Sequence, residues 1–581
     1  MPNNRSEVHN RNHLPLVVRD LSYCYGQLPD MALNQLSFQV LSGEIVLIAG
    51  SSGSGKTTLV RCLNGLIPHS YRGGQRSGDI RIFGEEPAAL SLAEISGMVG
   101  SVLQDPEKQI VASYVANEIA FGLENLGVER AEMRRRIRLV LDRLGIVHLH
   151  DRETFRLSHG EKQKLVLGST LVLEPAILLL DEPLASLDAY GTEETLSLIR
   201  HLADQGKTVL IVEHRLERIL KLRPDKVLFL VNGEQHYFGD VAGFLAMADP
   251  SEVKLPAHIT LQRLHKLGAA VDTAEGPKVD VRPKVDVPPI KQAFASKPAT
   301  PLIHYENVSF SYEPDDPILQ EINFSLFPGD VVAVLGPNGA GKTTLAKLAV
   351  GLLRPNRGRV YIGGRDNKTM TVAQIARVVG YVFQSPRHML FAPTIEREVA
   401  FGMHNLGFDE VAITSAVPSV LKAVDLTAYM DLPPLALSFG QQKRLTIAAV
   451  MAMQSRVLVL DEPTAGQDFR HYTKLMERLL RLLEGDARDD VPEAMVLISH
   501  DLDFALSYAN RVILLRAGRI LADGPPHEVL ARRDLLAMCR LQPSSLLELN
   551  LQLLPHTGRL MPANMLSRYI PDLEELRFDI S

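Results

Sequence analysis

Cysteine is scarce. Cys24, Cys62 and Cys539 are scattered through 581 residues, and no two of them form a C-x-x-C pair. This argues against a disulfide framework and against a cysteine-ligated zinc or iron–sulfur centre, and it fits a reducing compartment. A basic excess is also missing. The 62 Lys and Arg against 68 Asp and Glu leave a formal net charge of −6, so bulk electrostatics does not mark a nucleic-acid binder. Long apolar runs are absent too. Leu165–Leu180, the longest, is broken by Glu174 and Pro175 and falls short of the ~20 residues that span a bilayer. Met1–His13 is polar, without the apolar core of a signal peptide. The expectation is a chain soluble by itself, whose membrane role, if it has one, needs a separate membrane partner. What remains is an ordinary globular mix, 46% hydrophobic and 22% charged, on a length that suggests three or four domains.

A long internal repeat organises the chain. Gly50-Ser-Ser-Gly-Ser-Gly-Lys56-Thr57 recurs as Gly336-Pro-Asn-Gly-Ala-Gly-Lys342-Thr343, Leu157-Ser-His-Gly160 as Leu437-Ser-Phe-Gly440, and Leu178-Leu-Leu-Asp181-Glu182-Pro183 as Leu458-Val-Leu-Asp461-Glu462-Pro463. Order and spacing both survive, so one domain is duplicated. The copies differ in length at Ser70–Gly78 and at Glu484–Glu493, which read as surface loops. The expected layout is a first domain over 14–248, a short helical extension over 249–268, a proline-rich linker over 269–301, a second domain over 302–540 and a C-terminal extension over 541–581.

Short apolar runs at Glu44–Ala49 and Val331–Leu335 lead into the glycine-rich loops, and Thr58–Leu66 and Thr344–Leu353 follow them with helical spacing. Ile177–Leu180, Val457–Leu460, Val209–Val212 and Met495–Ile498 read as buried parallel strands. Strands alternating with helices predict an α/β class with parallel sheets.

A G-x-x-x-x-G-K-T loop between a strand and a helix is a phosphate cradle. Its glycines let backbone N–H groups approach phosphate oxygens, and the helix N-terminus adds positive potential. The candidate residues are Gly50, Ser51, Gly53, Ser54, Gly55, Lys56, Thr57 and Thr58, and in the second copy Gly336, Pro337, Asn338, Gly339, Ala340, Gly341, Lys342, Thr343 and Thr344. The lysines suit the β- and γ-phosphates of a nucleotide, and the Thr57 and Thr343 hydroxyls suit Mg²⁺. At the end of an apolar strand, Asp181 and Asp461 suit the Mg²⁺ shell, and Glu182 and Glu462 suit a general base that polarises the attacking water.

With these motifs the sequence resembles the ATP-binding-cassette family. The resemblance implies two tandem P-loop ATPase domains, each with a mainly parallel core sheet, an antiparallel β subdomain and an α-helical signature subdomain. It assigns the signature to Ser158, Gly160 and Glu161 and to Ser438, Gly440 and Gln441. His159 and Phe439 stand where the family usually has glycine. The resemblance also makes Gln104 and Gln384 glutamine-loop residues near Mg²⁺, His214 and His500 switch histidines, Asp188 and Asp468 interface-loop residues, and Tyr25 and Tyr312 adenine-stacking aromatics. It implies head-to-tail pairing of the two domains. One composite site then joins Gly50–Thr57, Gln104, Asp181, Glu182 and His214 to Ser438 and Gly440. The other joins Gly336–Thr343, Gln384, Asp461, Glu462 and His500 to Ser158 and Gly160.

A narrower resemblance lies after each glutamine. Glu118-Ile-Ala-Phe121-Gly-Leu-Glu-Asn125-Leu-Gly recurs as Glu398-Val-Ala-Phe401-Gly-Met-His-Asn405-Leu-Gly. Both segments are similar to the ATPase subunits of energy-coupling-factor importers of vitamins or transition-metal ions, as is Val212-Glu213-His214-Arg215-Leu216-Glu217. The implied partners are a transmembrane scaffold and a substrate-binding membrane protein, with the chain peripheral on the cytoplasmic face and no nucleic acid bound. Ile110, Val111, Phe121, Phe391 and Phe401 line a groove for a partner helix in this reading, or form core of the helical subdomain in the plainer one. Two alternatives stay open, a tandem ATPase of another importer and a soluble tandem protein acting on ribosomes or DNA.

Overall fold

The computed structural model describes residues 14–26, 31–51, 53–71, 73–184, 187, 189–214, 216–248, 253–257, 259–261, 300–314, 316–465, 467, 469–484, 492–557 and 560–562. The chain divides into two compact units, Met1–Leu255 and Pro256–Ser581. Apart from Thr300 and Pro301, the expected linker lies outside the described residues. Among the described residues no helix is long and apolar enough to cross a membrane.

In the first unit β1 (Leu16–Cys24), β2 (Met31–Val40), β3 (Ile45–Gly50), β4 (Gln75–Ile82), β5 (Val99–Val102), β6 (Ile177–Asp181), β7 (Thr208–Val212), β8 (Lys226–Val231) and β9 (Glu234–Gly239) form one sheet in the order β4-β1-β2-β9-β8-β3-β7-β6-β5. The run β5-β6-β7-β3-β8 is parallel, and β2-β1-β4 is an antiparallel ladder. In the second unit β10 (Ile303–Ser311), β11 (Pro317–Leu326), β12 (Val331–Leu335), β13 (Arg357–Ile362), β14 (Arg365–Asp366), β15 (Val379–Val382), β16 (Val457–Asp461), β17 (Ala494–Ser499), β18 (Arg511–Arg516) and β19 (Arg519–Gly524) make two sheets, β11-β10-β13-β14 and β15-β16-β17-β12-β18-β19. The difference in sheet count rests on the single pairing Asn34↔Glu234, which links β2 to β9 in the first unit.

Every residue of β3, β6, β7, β12, β16 and β17 is buried. This is the place of Val/Ile/Leu runs covered on both faces of a parallel sheet. Register then aligns the strand ends. Val212 pairs with both Ile48 and Asp181, and Ile498 with both Val334 and Asp461. The glycine loop, the Asp-Glu pair and the histidine therefore leave three adjacent strands at one level, at the carboxyl edge where open α/β sheets hold ligands.

Two local details depart from the sequence reading. The helices after the glycine loops are Lys56–Leu63 and Lys342–Ala349. They start two residues earlier than the apolar spacing suggested, because Gly55 at φ 96° and Gly341 at φ 100° turn the chain straight into the helix. The surplus Ser70–Gly78 is only partly a loop, since β4 begins at Gln75 and pairs with Cys24.

Three helices follow each glutamine, namely Val115–Asn125, Arg130–Arg143 and His159–Leu171, then Ile395–Leu406, Glu410–Ala423 and Phe439–Ala452. The glycine after each phenylalanine lets the first helix approach the end of the third. A Cβ at Gly122 would meet Leu173 at 3.0 Å, and one at Gly402 would meet Met453 at 2.6 Å. At the end of the second unit the helix Ser545–Thr557 joins an apolar cluster with Leu536, Cys539 and Met561. Ala257 and Leu261 pack into the same cluster, and the Ala257 N–H donates to Ser545 Oγ at 3.0 Å.

Candidate functional site

The glycine loops are built by close approach. A Cβ on Gly50 would lie 2.3 Å from the Leu230 carbonyl oxygen, and one on Gly336 would lie 2.1 Å from that of Leu515. Only glycine fits at either place. Neither following helix has a side-chain cap at its start, which suits an anion. Lys56 Nζ turns back to donate to the Gly50 and Ser51 carbonyls at 2.9 and 2.6 Å, and Lys342 Nζ to those of Gly336 and Pro337 at 2.7 and 2.9 Å. Ser54, Lys56, Thr58, Lys342 and Thr344 are buried. Each loop is thus a closed ring with an ammonium at its centre.

Beside it stand the acids. Asp181 and Asp461 are almost fully buried. Burial, with Glu182 adding to it, pushes Asp181 up to about 6, while the Thr57 hydroxyl and Lys56 pull the other way. Asp461 is raised by the same two causes, burial and Glu462. Asp181 Oδ1 is buried without a hydrogen-bond partner, and Thr343 Oγ1 donates to Asp461 Oδ2 at 2.8 Å. An orphaned carboxylate oxygen beside a threonine hydroxyl is a hard-oxygen donor set that fits Mg²⁺.

Glu182 and Glu462 sit at φ 51° and 47°, a conformation costly for a side chain with a Cβ. Backbone bonds hold them there, from Glu182 N–H to the Val212 carbonyl and from Glu462 N–H to the Ile498 carbonyl, both 2.9 Å. The turn aims each carboxylate at the histidine of the next strand. His214 Nε2 lies 3.1 Å from Glu182 Oε1, and His500 Nδ1 lies 2.8 Å from Glu462 Oε1. Burial works to raise Glu182, but His214, Lys56 and a hydrogen bond from Gln104 outweigh it and hold the carboxyl below its ordinary value. Each unit therefore gathers phosphate loop, aspartate, glutamate and histidine into one place, and Gln104 reaches the glutamate in the first unit.

Ser158 and Ser438 lie elsewhere, each exposed at the start of the third helix of its helical part. Each is an N-cap in a capping box. Ser158 Oγ accepts from Glu161 N–H at 3.3 Å, and Ser438 Oγ from Gln441 N–H at 3.4 Å. The helix start follows directly, with Gly160 and Gly440 in its first turn. Tyr25 is half-buried, with its hydroxyl 3.1 Å from Thr58 Oγ1 and accepting from Arg61 at 3.0 Å. Tyr312 is exposed and packs edge-on against Phe310. Asp188 and Asp468 lie outside the described residues.

Sequence reasoning missed two kinds of residue. Glu118 and Glu398, noted only as motif letters, are buried anchors. Glu118 accepts from the N–H groups of Val111 and Ala112 at 2.9 and 2.7 Å, and Glu398 from those of Phe391 and Ala392 at 2.8 and 2.7 Å. They hold the segment after the glutamine so that Val111 and Phe391 stay 65% and 64% exposed. Phe121 and Phe401 are about half exposed rather than core, and Phe401 stacks edge-on with Phe391 at 4.7 Å. Glu398→Ala leaves two N–H groups without their acceptor, so it is expected to lower unfolding stability by ~2 kcal/mol in denaturant titrations. The other missed residue is Lys443, fully buried on the helix Phe439–Ala452. Its Nζ donates to the carbonyls of Phe383, Gln384 and Asp461 at 2.8, 3.0 and 2.8 Å. Burial draws it down to about 8, while Asp461 and Glu462 oppose the shift.

A family model described as ABC transporter matches residues 33–185 and again 319–465. A relative from Clostridium perfringens, named as an ABC transporter ATP-binding protein, is 35% identical over 92% of this chain and 94% of its own length. Relatives named in the same way from Methanosarcina acetivorans and Bacillus cereus are 34% and 35% identical over 90% and 91% of this chain, and 88% and 94% of their own lengths. The solved structure of cbiO1 from Clostridium perfringens, part of the ABC transporter complex cbiONQ, is 30% identical, with a TM-score of 0.37, covering 43% of this chain and 98% of that one.

Proposed function

The chain belongs to the ABC transporter ATP-binding proteins and is an ATPase with two cassettes, and from that premise we propose that it is the energy-coupling subunit of an energy-coupling-factor importer. In this reading ATP binding closes the cassettes and hydrolysis with product release reopens them. The motion passes to a transmembrane scaffold that carries a substrate-binding membrane protein for a vitamin or transition-metal ion, and the chain works at the cytoplasmic face of the membrane.

The observation that carries the reading is the exposed apolar ridge after each glutamine. Val111 and Phe121 in one cassette, and Phe391 and Phe401 in the other, are exposed on a segment pinned from below by a buried glutamate. Apolar side chains held at a surface by a dedicated anchor suit the apolar face of an amphipathic helix. They stand on the segment that begins at Gln104 and Gln384, so a partner seated there engages the chain that leads from the glutamine loop.

In the same reading the site residues take the following roles. Lys56 and Lys342 hold the β- and γ-phosphates, with the loop N–H groups around them. Thr57 with Asp181, and Thr343 with Asp461, would hold Mg²⁺, which would neutralise phosphate charge. Glu182 and Glu462 accept a proton from the attacking water, and His214 and His500 orient those carboxylates and touch the γ-phosphate. Gln104 and Gln384 position the water. Ser158 and Ser438, with Gly160 and Gly440, present hydroxyl and N–H donors to phosphate, Tyr25 and Tyr312 stack on adenine, and Asp188 and Asp468 serve the loop between cassettes.

The reading is tested by purifying the tagged chain from gently solubilised native membranes. Recovery with a multi-spanning scaffold and a small membrane protein supports it. Recovery with ribosomes or DNA-repair proteins and no membrane protein overturns it. The combined variant Phe121→Asp, Phe391→Asp and Phe401→Asp is expected to lose the membrane proteins with only a small fall in its thermal unfolding midpoint, because each side chain is about half exposed or more.

A further inference from the structure

The two cassettes differ where their motifs do not. Lys443 stands five residues after Ser438, and Gln163 stands five after Ser158. Lys443 joins three pieces at once: the helix that begins at the signature, the glutamine-loop carbonyls of Phe383 and Gln384, and the carbonyl of Asp461 at the end of β16. Gln163 is buried to 3% exposure, and both of its amide atoms lack a hydrogen-bond partner. It lines a small cavity with Val102, Leu167 and Pro183. In that cassette the tie between helix and loop runs along the exposed side, where Lys162 Nζ donates to Glu107 Oε1 at 2.5 Å, and Gln109 bridges the Leu103 N–H and the Ser101 carbonyl at 3.0 and 2.8 Å. A second difference points the same way. The Tyr381 hydroxyl donates to Asp461 Oδ2 at 2.9 Å, while its counterpart Ser101 has a buried Oγ without a partner and Asp181 Oδ1 is likewise unpaired.

We propose that Lys443 is a positioning residue of the second cassette alone, which fastens the signature helix and the glutamine loop to the end of β16 so that the two ATP sites turn over unequally. Three charge-assisted bonds from one buried ammonium make Gln384 and Asp461 a preset pair before nucleotide arrives. In the first cassette Gln104 bonds to Glu182, and its loop meets the signature helix through the more exposed Lys162–Glu107 pair, a weaker tie than three bonds from one buried ammonium. The site that relies on Glu462 is therefore the faster one. This rests on the roles given above to the glutamates and glutamines.

The test uses the full chain with one glutamate disabled at a time. Glu182→Gln leaves the second site as the only one turning over, and Glu462→Gln leaves the first. The Glu182→Gln chain is expected to hydrolyse ATP faster than the Glu462→Gln chain. Adding Lys443→Gln to Glu182→Gln should lower kcat about tenfold or more, with KM for ATP little changed, and Lys443→Arg should keep most of kcat. Without nucleotide, Lys443→Gln should raise hydrogen exchange of the amides around Phe383 and Gln384 toward the level around Leu103 and Gln104. The reciprocal Gln163→Lys, in the Glu462→Gln chain, should raise kcat and slow that exchange in the first cassette.

An unchanged kcat in a folded Lys443→Gln chain, or unchanged loop exchange, overturns the proposal. If Lys443→Gln does not fold, Gln163→Lys decides, and absence of gain in both kcat and protection overturns it. Turnover by a chain lacking both glutamates would instead overturn their roles, and loop exchange then decides on Lys443.

Discussion

Replacing Glu182 and Glu462 together by glutamine is expected to leave ATP binding in place and lower steady-state hydrolysis by about 10²–10⁴-fold, the range associated with losing a positioned general base. The substitution keeps shape and hydrogen-bonding reach. The amide oxygen still faces His214 or His500, and the turn at φ 51° and 47° is held by backbone bonds to Val212 and Ile498 that the side chain does not make. What is lost is the basic carboxylate. His214, Lys56 and Gln104 hold Glu182 below its ordinary value despite burial, so the group is charged and ready to accept a proton at neutral pH. Calorimetry should show nucleotide binding near the native affinity, and phosphate release should fall to background. Full turnover would remove both glutamates from the mechanism.

What the sequence disclosed and what it hid divide along a physical line. The phosphate loops, the Asp-Glu pairs and the strands before them were legible because each is local. A glycine at φ 96° before a lysine, or an apolar run ending in two acids, is written in consecutive residues. The convergence of Gly50, Asp181 and His214 was legible only through the resemblance. Its cause is a register in which Val212 meets both Ile48 and Asp181, and no local pattern states that.

Glu118 and Glu398 stood in a quoted motif without a role, because a carboxylate on a helix reads as solvated until the loop that curls over it is seen. For Phe121 and Phe401 bulk kept core and groove both open, and the helix turns them about half outward. Lys443 had one faint signal. It is the place, five residues after a shared serine, where the copies exchange a cation for an amide, but burial turns that exchange into chemistry. Residues 249–268 read as a short helical extension, and the packing of Ala257 and Leu261 with Cys539 and Leu547, across almost three hundred residues, is something that spacing cannot reveal.

Lys56→Ala and Lys342→Ala are expected to abolish nucleotide binding at their own sites, weakening the affinity for ATP by more than about 100-fold, or ~2.7 kcal/mol. The size follows from where the charge sits. Lys56 and Lys342 are only 6% and 8% exposed, so water cannot replace the ammonium opposite the phosphates, and a lost charge-assisted bond in such a place costs several times a surface one. The same ammonium closes the empty loop through two carbonyls, at 2.9 and 2.6 Å in one cassette and 2.7 and 2.9 Å in the other. Its removal therefore loosens the loop before any ligand arrives. The alanine variants should show a lower thermal midpoint without nucleotide and no upward shift on adding ATP, whereas the glutamine pair at 182 and 462 keeps that shift. Lys56→Arg separates charge from fit. A planar guanidinium carries the charge but cannot occupy the narrow space between the two carbonyls, so it should also fail to bind. Tight binding by the arginine variant would mean that charge alone suffices and that the ring of backbone around the ammonium plays no part.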